Sequence, residues 1–400
     1  MSIMLGLFTT LAVLPFLFFS TDAVGSVGTL AISLGTSTVC GISAYTFPRI
    51  IYCTNISESV PTSPYQIYPN VSFDYLSAST AFLCGLKSRK RVIFCWNGNP
   101  VNTKQVYRGP WVLSDISVGE THVSAIDHST NEIRWWSNAG LFPSSVLGNY
   151  SSLTSGKNFT CAISSNGKVT CWGPLSSAMQ YSFSKYSMTT IVAGDSHMCG
   201  LDTSGFVICK GSNSLGQSYS PPGLPYDYTR FALGSSHTCA IKQPKATAVC
   251  WGGSNGAHLY TPLNDTSFEF LVAAGNITCG LASAEASILC WGSDWRTVSV
   301  RTLSLPKILP GICVAEGSDE CKCGFFPNSG NLCAGVGVIC QQCDSLWIQQ
   351  LLHPELFPLP SESKRWKVED LVGLVFLFVG ACGITFSLSI ILFRKEDLRK

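Results

Sequence analysis

The sequence predicts an all-β chain: a seven-bladed β-propeller, followed by a small disulfide-rich module and one transmembrane helix. Three observations carry this. A cysteine, a short gap and a second cysteine, often followed by Trp-Gly, recur along the first three quarters of the chain. A compact group of six further cysteines follows, and beyond it stands an uninterrupted apolar stretch.

Residues 1–23 read as a signal peptide, because the run from Ile3 to Phe19 is apolar and Thr21 and Ala23 stand at small-residue cleavage spacing. Nineteen cysteines and only 12% charged residues fit an oxidising compartment. The net charge of +2 provides no overall basic field, so no nucleic-acid partner is expected.

Residues 26–310 hold the repeats. Their cysteine pairs are Cys40 with Cys53, Cys84 with Cys95, Cys161 with Cys171, Cys199 with Cys209, Cys239 with Cys250, and Cys279 with Cys290. The segment VGETHVSAIDHSTNEIRWWS supplies a seventh copy, with Ser124 and Trp135 at the cysteine positions. Loss of both cysteines together is what a bonded pair would undergo, since one alone leaves a reactive thiol. Apolar residues stand two after the first and two before the second position, as in Ile42 with Ile51 and Leu281 with Ile288. Period-two spacing places them on the face of the cysteines, so each repeat reads as an antiparallel hairpin with an internal disulfide. Gly167 and Gly205 end three-residue turns, while the ten-residue gaps predict four-residue loops on type I turns. Radial packing of four-stranded blades buries such faces, and the segment Val27–Leu34 is the expected closing strand.

Residues 311–345 contain Cys313, Cys321, Cys323, Cys333, Cys340 and Cys343, expected as three disulfides of open connectivity rather than a zinc site. The segment holds too few apolar residues for a core of its own. Residues 346–370 form a juxtamembrane linker, 371–393 a charge-free transmembrane helix, and 394–400 a cytosolic tail. Ala381, Thr385 and Ser389 recur every four residues on one face of that helix, a surface for homo- or hetero-dimerisation; Cys382 lies in mid-span. The sequons at Asn55, Asn70, Asn149, Asn158, Asn264 and Asn276 fall on the lumenal side and are the expected glycosylation sites.

No catalytic or cofactor-binding constellation stands out. His122, His197 and His237 share a Gly-x-x-His position, but no convergent carboxylates or cysteines accompany them. Each is expected to hydrogen-bond within its own blade rather than to hold a metal. Asp195, Ser196 and His197 are consecutive and so cannot converge as a triad.

The phrase VAGDSHMCGLDTSGFVICKGSNSLGQ between Ile191 and Gln217, echoed by LGSSHTCAI and AAGNITCGL, resembles the regulator-of-chromosome-condensation repeat. With the cysteine pairs, the six-Cys segment and the span, the chain from about residue 26 onward resembles the Crinkly-type plant receptor-like kinases. The resemblance implies a propeller of Crinkly repeats, a tumour-necrosis-factor-receptor-like module, and a single-pass type I plasma-membrane topology. It also implies an extracellular peptide or protein ligand and a cytosolic Ser/Thr kinase. Neither a Gly-rich loop nor His-Arg-Asp or Asp-Phe-Gly motifs follow the span, so this chain is expected to be the receptor part without enzyme activity. The alternatives are a kinase-less decoy or co-receptor, and a propeller ectoenzyme with an ionisable cluster in its channel.

Overall fold

The computed structural model describes residues 28–56, 63–97, 103–137, 140–256, 258–292, 300–317, 321 and 324–341. The expected signal peptide, linker, membrane helix with Ala381, Thr385 and Ser389, Cys382, tail, Cys323 and Cys343 lie outside the described residues. Among the described residues no helix is long and apolar enough to cross a membrane.

Seven antiparallel sheets follow one another along the chain as propeller blades. Blade 1 comprises β1 (Leu30–Ser33), β2 (Thr38–Ile42), β3 (Ile51–Asn55) and β4 (Tyr65–Ile67). Blade 2 comprises β5 (Phe73–Ala78), β6 (Leu83–Lys87), β7 (Val92–Trp96) and β8 (Lys104–Arg108). Blade 3 comprises β9 (Leu113–Val118), β10 (His122–Asp127), β11 (Glu132–Ser137) and β12 (Ser145–Val146). Blades 4, 5 and 6 are three-stranded: β13 (Tyr150–Ser155), β14 (Thr160–Ser164) and β15 (Val169–Trp172); β16 (Met188–Ala193), β17 (His197–Asp202) and β18 (Val207–Gly211); β19 (Tyr228–Leu233), β20 (His237–Lys242) and β21 (Thr247–Gly252). Blade 7 comprises β22 (Phe268–Ala274), β23 (Ile277–Ala282), β24 (Ile288–Gly292) and β25 (Arg301–Leu303).

The hairpin register follows the repeat. Cys40 faces Cys53, Cys84 faces Cys95, Cys161 faces Cys171, Cys199 faces Cys209, Cys239 faces Cys250, and Cys279 faces Cys290. Each of these pairs is bonded, with Cα atoms 4.0 to 4.1 Å apart. Ser124 faces Trp135 in blade 3. The three-residue turns end on left-handed Gly167 (φ +78°) and Gly205 (φ +83°). The longer loops depart from a plain type I turn, because Arg89, Lys90, Ala246 and Ala286 all adopt positive φ.

The uniform four-stranded blade holds for blades 1, 2, 3 and 7 only. Where the outer strand is missing, the edge amide of the second cysteine finds a substitute, because a buried donor cannot remain unpaired at low cost. In blade 4 a two-turn helix, α1 (Ser176–Phe183), lies over β15, and Gln180 Oε1 accepts from the Cys171 amide at 2.9 Å. The Ser220 hydroxyl takes the Cys209 amide at 2.9 Å in blade 5, and the Tyr260 carbonyl takes the Cys250 amide at 2.8 Å in blade 6.

Both ends of the ring meet on blade 1. The expected closing segment, β1, pairs with β2 inside its own blade, and Gly28 exchanges two backbone hydrogen bonds with Leu76 of blade 2. The chain returning from blade 7 pairs beside it: Ala44 N donates to Lys307 O at 2.8 Å, and Leu309 N donates to Ile42 O at 3.0 Å. Gly41 lets that strand approach closely, since a Cβ would lie 2.6 Å from Ile308 Cδ1.

The Cys-rich segment contributes β26 (Cys313–Val314), a single helical turn, α2 (Ser329–Leu332), and β27 (Val338–Ile339). Disulfides join Cys313 to Cys333 and Cys321 to Cys340. Its apolar residues Cys333 and Ile339 share one core with Ile42 and Ala44 of blade 1. The eight-residue loop between β2 and β3 is the docking element, with Tyr45 N donating to Leu332 O at 2.8 Å. This explains why the first cysteine pair is the widest spaced of the propeller pairs, with a sequence separation of 13.

Candidate functional site: the inter-blade seam and the propeller axis

The three Gly-x-x-His histidines are buried, and the expectation that each bonds within its own blade is corrected. His122 Nε2 shares a 2.7 Å hydrogen bond with Thr160 Oγ1, His197 Nε2 a 2.8 Å bond with Thr238 Oγ1, and His237 Nε2 a 2.7 Å bond with Thr278 Oγ1. In every case the threonine belongs to the next blade, where it immediately precedes that blade's first cysteine. The physical cause is radial geometry: the second strand of one blade faces the same strand of its neighbour, so a long side chain reaches across the seam.

The same position pairs by chemistry around the ring. Where the next blade offers an apolar residue, the histidine is replaced by an apolar one: Phe159 shares a core with Met198, Phe82 with Val123, and Ile277 with Val39. At the remaining seam Thr38 turns its hydroxyl to Thr36 O of its own blade at 2.8 Å. At six of the seven seams polar meets polar or apolar meets apolar, which gives the buried Nε2 of each histidine a partner.

The glycine of the motif serves close approach. A Cβ on Gly119, Gly156, Gly194 or Gly234 would fall 2.3 to 2.7 Å from the carbonyl oxygen of the next blade's glycine. Backbone bonds then cross the seams, as Lys157 N to Asp195 O at 3.0 Å and Ser235 N to Gly275 O at 2.8 Å.

Burial depresses the histidine pKa values, to about 4 for His122 and His237 and about 3 for His197, where the neighbouring His237 adds to the effect of burial. All three are therefore neutral at physiological pH. Asp195 accepts from the Ser235 hydroxyl at 2.5 Å and His197 bonds Thr238, so Asp195 and His197 are committed to separate partners. No group of three His, Cys, Asp or Glu side chains suited to a metal occurs among the described residues.

A narrow cavity of about 60 Å³ runs between innermost strands, lined by residues such as Leu30, Ile32, Val192, Phe231, Leu233 and Leu271. Its lining contains no ionisable side chain. The geometry provides a disulfide-clamped scaffold with an apolar cavity between innermost strands and leaves the exposed turns as contact surface. Of the sequon asparagines, Asn70, Asn149, Asn264 and Asn276 are exposed, and Asn55 and Asn158 are partly buried.

The family described as Regulator of chromosome condensation (RCC1) repeat matches residues 150–173 and 188–217, within blades 4 and 5. The chain is 35% identical over 413 residues to the putative serine/threonine-protein kinase-like protein CCR3 of Arabidopsis thaliana, covering 95% of this chain and 49% of the relative. It thus spans about half the length of that relative. Two solved structures are similar in fold. The CRINKLY WD40 ectodomain of the Arabidopsis thaliana receptor kinase ACR4 is 24% identical with a TM-score of 0.51, covering 67% of this chain and 96% of that one. The entire ectodomain of the Physcomitrella patens receptor kinase CR4 is 23% identical with a TM-score of 0.55, covering 80% and 89%.

Proposed function

We propose that this chain, a Crinkly-type ectodomain with RCC1-like repeats, is the extracellular ligand-binding part of a receptor-like Ser/Thr kinase at the plasma membrane. The observation that carries the reading is the combination of a disulfide-clamped propeller with a Cys-rich module fused to its first blade by a common core. Such a body holds its turns in fixed positions, which lowers the ordering cost of binding a peptide or protein. The cavity between the innermost strands is lined by apolar residues, which supports a reading as a recognition module. A kinase-less decoy or co-receptor would use the same surface.

In this reading the segment 371–393 anchors the chain, with Ala381, Thr385 and Ser389 facing a partner helix, and the sequons carry glycans. The test is display of the full chain on eukaryotic cells, followed by exposure to fractionated extracellular peptides. Saturable binding of a component supports the proposal. A surface-displayed, correctly folded chain that binds none overturns it.

A further inference from the structure

Of the three blades without a fourth strand, blade 4 alone carries a helix in its place. That helix, α1, is the only one longer than a single turn among the described residues. In blades 1 and 7 the fourth strand continues the ladder, as β4 does on β3 and β25 on β24. A helix cannot do so. It stands off β15 and is tied to it by a side chain, Gln180 Oε1 accepting from the Cys171 amide at 2.9 Å. Departures from the local rule of a fold concentrate at functional sites.

The stand-off leaves a groove of about 310 Å³, lined by Cys171, Ser176, Ser177, Gln180, Tyr181 and Ser184. Ser176, Gln180 and Ser184, and beside them Ser177 and Tyr181, recur at four-residue spacing, so α1 turns one continuous stripe toward it. Met179 and Phe183 are buried in the core of blades 4 and 5 and fix the rotation of the helix.

The stripe has three properties. Its lining contains no carboxylate and no cation, and the neighbouring Lys168 Nζ is committed to the carbonyls of Ser184 and Tyr186, at 3.3 and 3.1 Å. With Oε1 held by Cys171, the Gln180 amide keeps Nε2 as an unused donor, and the hydroxyls of Ser176 and Ser177 have no partner among the described residues. Tyr181 leaves 81% of its surface exposed, an aromatic face with nothing to cover it.

We propose that this groove binds a neutral glycan. A sugar ring presents hydroxyls on its edge and C–H groups on its face, which match the amide and serines on one side and the Tyr181 ring on the other. An ionic ligand would find no counter-charge. A peptide would be held along an open strand edge or by apolar anchors in pockets. Here the edge amide is already taken by Gln180, and no aliphatic side chain lines the groove.

The groove is separate from the exposed turns assigned above to a peptide or protein ligand, so the two readings succeed or fail independently. The test uses the purified full chain in a detergent without a sugar headgroup, enzymatically deglycosylated so that its own glycans do not compete. Cellotetraose, mannotetraose and xylotetraose are titrated, with saturation-transfer NMR as the readout. At least one should bind, with an affinity constant to within about twofold between roughly 50 and 200 mM salt, because no charge pair is there to be screened. Tyr181→Ala should weaken binding about fivefold to tenfold, and Tyr181→Phe, which keeps the ring, should stay within about threefold. Phe206→Ala, at an exposed ring outside the groove, should leave it unchanged. Thermal melts equal to that of the unsubstituted chain show that the variants are folded. Saturable binding lost in Tyr181→Ala supports the proposal. No binding of any of the three sugars, binding unaffected by Tyr181→Ala, or tighter binding of a capped, uncharged Gly-Thr hexapeptide, which indicates a peptide groove instead, overturns it.

Discussion

His197 of blade 5 and Thr238 of blade 6 are joined across their seam by a buried 2.8 Å hydrogen bond, and Thr238 Oγ1 also donates to Gln217 O at 2.9 Å. The pair has a counterpart without polar atoms one seam earlier, where Phe159 and Met198 occupy the equivalent positions. The ring thus contains its own comparison between a polar and an apolar latch.

Thr238→Val should destabilise the propeller by about 1–3 kcal/mol, because it strands a buried imidazole nitrogen and a backbone carbonyl. His197→Phe/Thr238→Val should recover part of that loss, giving a coupling energy of about 0.5–3 kcal/mol in a double-mutant cycle. Denaturant melts of the four proteins measure it. Strictly additive effects would remove the latch.

Stability should fall with acid. The three buried histidines have pKa values of about 3 to 4 in the folded chain, below the 6.5 of the unfolded one. The unfolded state therefore binds more protons in this window, and stability rises with pH. Their contribution is fully present above about pH 6.5 and is lost progressively as pH falls toward 4, by up to roughly 3 kcal/mol per histidine. Thermal melting between these limits should show the decline, flattened in His237→Phe/Thr278→Val. A pH-independent melt over this range would contradict the neutral, buried assignment.

Arg49 ties three parts together: its guanidinium pairs with Asp74 of blade 2, and Nη1 donates to Val336 O of the Cys-rich module at 3.4 Å. Arg49→Met should cost about 3–5 kcal/mol by leaving the Asp74 carboxylate buried and unpaired, and Arg49→Met/Asp74→Asn should cost less. Limited proteolysis at residues 311–345 and the melting temperature report the two consequences.

The exposed Asn70, Asn149, Asn264 and Asn276 should carry glycans when the chain is made in the secretory pathway, and the partly buried Asn158 should be modified least. Glycopeptide mapping after enzymatic release reads each site. An unmodified chain recovered from the cytosol would overturn the proposed topology.

The local period was enough to determine the hairpins. The Cys–Cys spacing, the apolar partners two residues inside it and the glycines of the three-residue turns all act between neighbouring strands, so register could be read directly; even Ser124 and Trp135 took the positions of the missing pair. Four-strandedness was not legible in blades 4 to 6, because an outer strand is interchangeable with any group that satisfies the edge amides, whether Gln180, Ser220 or Tyr260. The histidines were misassigned to their own blades for a similar reason. Their partners lie some forty residues away, and only closure of the ring brings Thr160, Thr238 and Thr278 to them. The pairing of His with Thr and Phe with Met at one repeat's distance was a usable signal, but it gains meaning only once neighbouring blades are known to face each other. What the sequence by itself determined was the strand register within one hairpin; what only the tertiary structure decided was which hairpins touch, since that depends on curvature accumulated over seven blades.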